Sequence, residues 1–377
     1  MYCFQCGEKV ESGQNFCHLC GTDWTENTDF QAEQTSTLES TDHFSDQVKG
    51  TFLQATEKVN QMVGEQGSMD VNLKEVFSAV FKKHSKDEAE TLFISGTKST
   101  TPPEHQIQST WPKPWLFARV FVVFALTFLF LYISTTVFYN MNTLPGMLII
   151  GSFAVPFSQL IFFWEMNAPR NISIYEVAKM FFVGGASSLV ATLFLYSFLP
   201  VYDLTFVGAM IVGVVEEVGK LVIIIYFIHK LNPKFILNGL LIGAAIGAGF
   251  AAFESAGYAF RFGDAFGLGA MMQIIFTRGW TAIGTHAAWS AIAGAALVLV
   301  KRKEPLKSDH YLSSRFLKLF SVPVILHAVW DMPLYALHSF YILFFILIGI
   351  AWIFIFSLMN AGLKQIVRLN KQTDPPS

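Results

Sequence analysis

The chain has 377 residues, of which 53% are hydrophobic and only 14% are charged, with a mean hydropathy of +0.44. This composition excludes an ordinary soluble globular protein, and the long apolar runs predict an all-α polytopic membrane protein. The net charge of −2 conceals an asymmetry between the two parts of the chain. Residues 1–110 carry 8 Lys/Arg against 17 Asp/Glu, whereas residues 111–377 carry 18 Lys/Arg against 11 Asp/Glu. This distribution predicts an acidic module followed by a basic, apolar one.

The first predicted element is a zinc ribbon in residues 1–24. It holds all four cysteines in the pattern C-x2-C, ten residues, C-x2-C, at Cys3, Cys6, Cys17 and Cys20. Four thiolates at this spacing predict a closed, structural zinc site, with two disulfides as the alternative. Zinc-bound thiolates imply a reducing compartment, which predicts a cytoplasmic N-terminus. The segment resembles the short zinc ribbons at the start of many prokaryotic membrane proteins.

Residues 25–110 are predicted to form an acidic linker with two amphipathic helices. Apolar residues recur at helical spacing over 44–63 and again over 71–94. Ser85 is a candidate N-cap and Glu88 stands three residues later, which predicts a capping box. The segment is interpreted either as a soluble spacer, which we favour, or as a partner-docking or gating element.

Residues 111–364 are predicted to form a bundle of eight transmembrane helices, each long enough to cross ~30 Å of hydrocarbon. The predicted spans are 115–138, 144–164, 175–198, 205–228, 235–259, 277–300, 316–337 and 340–360. Positive charge is concentrated in alternate loops and in the tail, residues 365–377, which predicts that both termini are cytoplasmic. No basic stretch followed by an apolar run opens the sequence, so we expect no cleavable signal peptide. The expected location is the plasma membrane.

Ionisable side chains cluster in the fourth to seventh spans, where each is costly unless it is paired or faces water. They are Glu216, Glu217 and Lys220 in the fourth span, Glu254 with Tyr258 in the fifth, His286 in the sixth, and His327 with Asp331 in the seventh. At ~1.5 Å per residue, Glu216, His286 and His327 lie about 14–16 Å from the outer ends of their helices, and Glu254 about 8 Å. The spacing of four residues places Lys220 beside Glu216, Tyr258 beside Glu254, and Asp331 beside His327. These groups are predicted to line one polar chamber.

Small residues at Gly239, Gly243 and Gly247 predict a helix face that packs closely against a neighbouring helix beside this chamber. Close packing would hold the polar side chains in a fixed geometry.

The cluster suits hydrolysis of a peptide bond inside the membrane. A carboxylate between apolar walls can act as a general base on water, a role that fits Glu216 or Glu217. His286 and His327 would stabilise the oxyanion or ligate a metal that activates water, and Asp331 would fix the tautomer of His327. The same groups also suit a transporter or channel, or ion pairs that only hold helices together.

Other catalytic signatures are absent from the sequence. It contains no GxSxG motif, no HExxH motif and no Gly-rich phosphate loop after a strand, and all four cysteines lie in the predicted ribbon. We expect no nucleic-acid partner.

The polar motifs resemble those of a known family. EEVGK (Glu216, Glu217, Lys220), FESAGY (Glu254, Tyr258), the helix of His286 and HAVWD (His327, Asp331) look like the signature of PrsW-type intramembrane proteases, relatives of the CAAX prenyl proteases. The resemblance covers about residues 115–360. It implies an eight-helix bundle that cleaves membrane-anchored proteins near the membrane surface; the substrate class of PrsW itself is an anti-sigma factor. The resemblance leaves open whether a catalytic metal is used, because the family has been described both as metallopeptidase-like and as glutamate-dependent.

The hypothesis for function is an intramembrane endopeptidase acting on a membrane-anchored protein in the lipid bilayer. Glu216 and Glu217 would activate water, and Lys220 would hold one of them ionised. The remaining polar residues would complete the site: Glu254, Tyr258, His286, His327 and Asp331.

Overall fold

A computed structural model describes residues 50–51, 53–69, 71–334 and 341–373 of the chain. The predicted zinc ribbon in residues 1–24, residues 25–49 of the predicted linker, and residues 374–377 lie outside the described residues. The chain divides after Thr56, and the residues from Glu57 onwards form the compact unit described below. Its regular structure is helical, since the described ranges contain no β-strand.

Residues 53–63 are helical, and further helices follow one another along the chain from Leu73 onwards. They are α1 Leu73–Val76, α2 Lys86–Phe93, α3 Leu116–Thr136, α4 Leu144–Met166, α5 Ile174–Lys179, α6 Gly185–Tyr196, α7 Phe206–Leu231, α8 Ile236–Phe266, α9 Leu268–Thr281, α10 His286–Lys301, α11 Ser308–Tyr311, α12 Ser314–Asp331 and α13 Ile342–Thr373. A π-helical turn, Met180–Gly184, joins α5 to α6, and a 3-10 turn, Ala282–Gly284, separates α9 from α10. The predicted capping box opens α2: Ser85 Oγ accepts from the Glu88 amide at 3.2 Å, and the Glu88 carboxylate accepts from the Ser85 amide at 3.3 Å.

Six stretches of the described chain are long and apolar enough to cross a membrane. They are Leu116–Thr136, Met141–Met166, Ile174–Tyr196, Ile236–Phe266, Leu268–Lys301 and Ile342–Lys371. Helices lie at all eight predicted positions, but the predicted count of eight spans is not confirmed, because α7 and α12 are not among the six. Both carry charged residues along their length: Glu216, Glu217 and Lys220 in α7, and Arg315, Lys318 and Asp331 in α12. The buried charged residues of α7 therefore have to find partners inside the bundle.

α8 is the central helix, with 94% of its apolar stretch buried. It approaches α10 so closely that only glycine fits at the contact. A Cβ added at Gly239, Gly243 or Gly247 would meet the backbone oxygens of Gly294, Ser290 and His286, respectively. The small-residue face predicted from the sequence therefore brings the helix of Glu254 against the helix of His286.

α8 also runs farther than the sequence predicted. Its span was expected to end at residue 259, whereas the helix continues to Phe266 and stops at Gly267, whose φ of +86° favours glycine. Arg261 and Asp264 were assigned to a loop, but both lie in α8, because charged side chains are compatible with the end of a membrane helix. Glu254 lies twelve residues before the end of α8 at Phe266. Its distance from that end is therefore about 18 Å along the helix, rather than the predicted value of about 8 Å.

The described part of the predicted linker packs on the ends of the long helices. Val63 and Val76 are each 1% exposed and join the main apolar core. Arg315 of α12 donates to the Val63 carbonyl oxygen at 3.1 Å, and Arg368 of α13 donates to the Glu65 carboxylate at 2.8 Å. From about residue 57, the chain is therefore attached to the same two helices that carry or flank the polar cluster.

Candidate active site

Four helices bring the predicted polar residues together. The cluster consists of Glu216, Glu217 and Lys220 of α7, Glu254 of α8, His286 at the first position of α10, and His327 and Asp331 near the end of α12. Lys220 and Glu217 are the most deeply buried, at 0% and 1% exposure, whereas 23% of the Asp331 side chain is exposed. The cluster is thus closed on the side of Lys220 and open on the side where α12 ends.

Lys220 is the centre of the cluster. Its ammonium donates to Glu217 Oε1 at 2.6 Å and lies 2.8 Å from His286 Nδ1. The predicted contact with Glu216 is present but longer, at 3.9 Å. Spacings of three and four residues lie on adjacent faces of a helix, so the flexible lysine reaches both carboxylates and pairs more closely with Glu217 than the sequence predicted. The ammonium also lies 4.5 Å from the centre of the Phe250 ring, a cation–π contact.

His327 connects the two glutamates. Its Nδ1 lies 2.8 Å from Glu217 Oε1, while its Nε2 faces Asp331 Oδ2 at 3.5 Å and Glu216 Oε2 at 3.7 Å. A carboxylate accepts hydrogen bonds, so the hydrogen lies on Nδ1. Glu217 therefore fixes the tautomer of His327, a role that the sequence assigned to Asp331. The reason is distance: only Glu217 lies within hydrogen-bond length of the ring.

His286 has the opposite tautomer. An ammonium only donates, so His286 Nδ1 accepts from Lys220 and the hydrogen lies on Nε2, which lies 3.1 Å from Glu254 Oε2. The residue was predicted in the middle of a continuous span. It stands instead at the start of α10, directly after the turn Ala282–Gly284 and Thr285. This break lies inside the Leu268–Lys301 stretch and directs the ring into the cluster.

Glu254 has a further partner that sequence reasoning missed. Arg278 of α9 forms an ion pair with Glu254 Oε2, and its Nε donates to Ser255 Oγ at 2.9 Å. The sequence placed residue 278 at the outer edge of a span beginning at 277, where an arginine attracts no attention. In the structure α9 begins at Leu268, so Arg278 lies well inside the stretch. An intramembrane arginine is a functional signal once that helix start is recognised.

The two tyrosines differ from the prediction. Tyr258, expected to act with Glu254, is 38% exposed, and its ring lies 4.8 Å from the Arg278 guanidinium carbon. No hydrogen bond joins Tyr258 to Glu254 in the described part of the chain. The hydroxyl that does reach a carboxylate belongs to Tyr196 at the end of α6, which donates to Glu216 Oε1 at 3.3 Å. Because α6 and α7 are separate helices, no helical spacing along the sequence could have paired Tyr196 with Glu216.

The donor set is suited to a metal ion. Glu216, His286 and His327 each offer one ligand atom, and the three atoms lie within 4.8 Å of one another. Glu216 Oε2 is buried and has no hydrogen-bond partner among the described residues. Two histidines and a glutamate are a common ligand set of catalytic zinc. The residues therefore fit a metal, although ligation by His286 Nε2 would replace its present contact with Glu254.

One comparison with known proteins identifies the domain. Residues 173–359 match the family described as PrsW family intramembrane metalloprotease. The chain contains a PrsW-type protease domain. The match begins at Ser173, so α3 and α4 lie outside it, although the sequence resemblance was taken to start at about residue 115. No curated protein and no solved structure matches the chain.

The PrsW-type domain contains every polar residue of the cluster, together with Tyr196 and Arg278. The chain is therefore an intramembrane protease with several apolar helices, a multi-pass membrane protein, and a transporter or channel is not favoured. The relation to CAAX prenyl proteases stays an expectation from the sequence.

Proposed function

We propose that this chain is an intramembrane endopeptidase in which Glu216 activates the attacking water. The observation that carries this assignment is the buried Glu216 Oε2, which lacks a hydrogen-bond partner in the described chain while Tyr196 holds the other oxygen. Glu217 Oε2 is also without a partner in the described chain, but Glu217 Oε1 is bound by both Lys220 and His327, at 2.6 and 2.8 Å, and Glu217 is therefore assigned to positioning. Of the two glutamates, Glu216 is the more exposed, at 7% against 1%, and it is the one grouped with His286 and His327, so it is the better placed to act as general base.

The residues supply a balanced hydrolysis. The water oxygen bonds to the carbonyl carbon of the scissile peptide while Glu216 Oε2 accepts the water proton. The carbon–nitrogen bond then breaks and the leaving amine takes that proton. His327 Nε2, 3.7 Å from Glu216 Oε2, is the nearest second acceptor on this path. We assign stabilisation of the oxyanion to His286, whose Nε2 hydrogen, now 3.1 Å from Glu254 Oε2, would be shared with the oxyanion.

A metal held by Glu216, His286 and His327 would act as a Lewis acid on water and on the substrate carbonyl, and Glu216 would then activate the water as a ligand of that metal rather than as a free base. In that state Glu217 would still orient His327 through Nδ1, as the outer partners of metal-binding histidines commonly do.

The proposed substrate is a membrane-anchored protein, with regulators of the anti-sigma-factor type as the class that the sequence resemblance suggests. The open edge at Asp331 supports cleavage near the membrane surface rather than at its centre. We also propose a plasma-membrane location with both termini in the cytoplasm, which the charge distribution of the loops supports.

The assignment is tested by comparing Glu216→Gln and Glu217→Gln in cells that co-express an epitope-tagged, membrane-anchored substrate. Cleavage should fall about 100-fold or more in Glu216→Gln, the scale expected when a general base is removed. Glu176→Gln, a change in a carboxylate on α5 outside the cluster, is the matched control and should cleave normally. Full cleavage by a well-expressed Glu216→Gln protein would refute the assignment.

A further inference from the structure

Arg278 occupies a position that the hydrolysis described above does not use. Its guanidinium forms the ion pair with Glu254 Oε2, donates from Nε to Ser255 Oγ at 2.9 Å, and lies over the Tyr258 ring. These three contacts are all on α8. The side chain is 28% exposed, compared with 14% for Glu254. Arg278 is therefore partly accessible from outside, while the carboxylate that it holds is mostly buried.

One oxygen of Glu254 links Arg278 to the centre of the site. Glu254 Oε2 faces both the Arg278 guanidinium and His286 Nε2, the latter at 3.1 Å. His286 Nδ1 in turn faces Lys220 at 2.8 Å, and Lys220 binds Glu217 at 2.6 Å. The contacts thus run from Arg278 through Glu254, His286 and Lys220 to Glu217. Arg278 is the outermost member, and it reaches His286 only through Glu254.

Removing the guanidinium would leave Glu254 as a mostly buried carboxylate with His286 as its remaining close partner. A buried charge that loses a partner is costly, and its side chain is free to reorient toward other donors. The nearest rearrangement turns Glu254 away from His286 Nε2, and the ring then loses the acceptor that orients it on that side, while Lys220 still faces Nδ1. The planar donor set of arginine, which here contacts both Glu254 Oε2 and Ser255 Oγ, suits this task better than a point charge.

We propose that Arg278 is a positioning residue of the protease site, which holds Glu254 against His286 and thereby sets the orientation of that ring. The proposal rests on the proposed function. The competing interpretation is that the ion pair only holds α9 against α8, in which case its loss would weaken the fold without a specific effect on turnover.

The test is chemical rescue of Arg278→Ala in the full-length protein reconstituted in liposomes with a membrane-anchored substrate. We expect kcat to fall about 10- to 100-fold with a smaller change in KM, the scale seen when an outer partner of an active-site group is removed. Millimolar guanidinium should restore part of kcat, because the site is partly open, and urea at equal concentration should not. Arg261→Ala, at an exposed position of α8, is the matched control and should behave as wild type.

Further variants separate the outcomes. In a Glu254→Gln background, Arg278→Ala should add no further loss, because Arg278 acts through Glu254. A wild-type kcat in Arg278→Ala, absence of rescue in a folded variant, or multiplicative losses would overturn the positioning role and leave the proposed protease function standing. If Arg278→Ala does not accumulate, Arg278→Lys replaces it, and an unchanged kcat there would overturn the role equally. No cleavage by the wild type would instead overturn the proposed function.

Discussion

At the scale of single residues, Lys220 is the group that makes the charged helix α7 compatible with a buried position. Its ammonium is 0% exposed and has contacts with both glutamates, with His286 and with Phe250. Buried ions persist only when their hydrogen-bonding capacity is satisfied. The pairing of Lys220 with glutamates one turn away thus both stabilises the buried helix and orients the catalytic groups.

Lys220→Met should destabilise the protein by about 3–5 kcal/mol, because it leaves the Glu217 carboxylate buried without its cation. The change is measured as the unfolding midpoint in detergent. Lys230→Met, at an exposed position of the same helix, should stay within about 0.5 kcal/mol of wild type. The double variant Lys220→Met, Glu217→Leu should recover stability but no activity. A Lys220→Met protein as stable as wild type would contradict this view of the cluster.

A second prediction at this scale concerns metal content. The ligand set of Glu216, His286 and His327 predicts that His327→Gln loses one equivalent of metal relative to wild type, because two remaining ligands bind weakly. Elemental analysis of the purified protein measures the number of metal equivalents per chain. The predicted ribbon would bind its zinc separately, so Cys3→Ser with Cys6→Ser is expected to lose a different equivalent. Equal metal content in His327→Gln and wild type would show that the cluster works without a resident ion.

The sequence predicted those site residues whose charge is costly to place inside a membrane. Glu216, Glu217, Lys220, His327 and Asp331 stand out as charges in apolar helices, and the structure brings them together. The partners were harder to predict because hydrogen bonds between helices depend on rotation and on side-chain reach. Tyr196 carries no sequence signal of this kind, and the Tyr258 of the FESAGY motif points toward Arg278 instead.

At the scale of elements, the α8–α10 contact determines the distance between Glu254 and His286. The three glycines of α8 allow the backbones to touch, and the start of α10 at His286 follows from the turn before it. Periodicity predicts which residues face inward, but it does not reveal a break inside an apolar stretch. The sequence therefore placed His286 in a continuous helix and ended α8 about two turns early.

Gly243→Ala should cost at least about 1–3 kcal/mol and reduce activity, because the added methyl group would meet the Ser290 backbone oxygen, which cannot move aside. The unfolding midpoint and the cleavage rate of the same preparation are the measurements. Gly257→Ala is the control on the same helix, since an added Cβ meets nothing within 4 Å there. It should raise stability by up to about 1 kcal/mol. Equal behaviour of the two variants would contradict the close helix contact.

At the scale of the whole molecule, residues 57–110 belong to the same compact unit as the long helices. Glu65 accepts from Arg368 of α13 at 2.8 Å and lies 3.7 Å from Lys364, while Arg315 of α12 holds the neighbouring backbone. The amphipathic pattern of this segment was visible in the sequence. Its attachment was not, because the contacts join residues about 250 to 300 positions apart.

Glu65→Ala should loosen the segment by about 1 kcal/mol, because Arg368 is largely exposed and the pair is screened by water. Faster hydrogen exchange in residues 57–69 is the expected readout, with little change in the helices of the site. Glu90→Ala, which removes an exposed pair with Lys86 on α2, serves as control and should leave exchange in residues 57–69 unchanged. Unaltered exchange in Glu65→Ala would show that the Glu65 ion pairs do not attach the segment.

The central claim is that this molecule hydrolyses a membrane-embedded peptide bond with a water activated by Glu216. The most direct measurement reconstitutes the purified protein in liposomes with a membrane-anchored substrate in water enriched in oxygen-18, and reads the product by mass spectrometry. Hydrolysis by wild type should place one heavy oxygen in the new C-terminal carboxylate, and Glu216→Gln should form no such product. Labelled product from Glu216→Gln at the wild-type rate, or solute flux without any product from wild type, would contradict the claim.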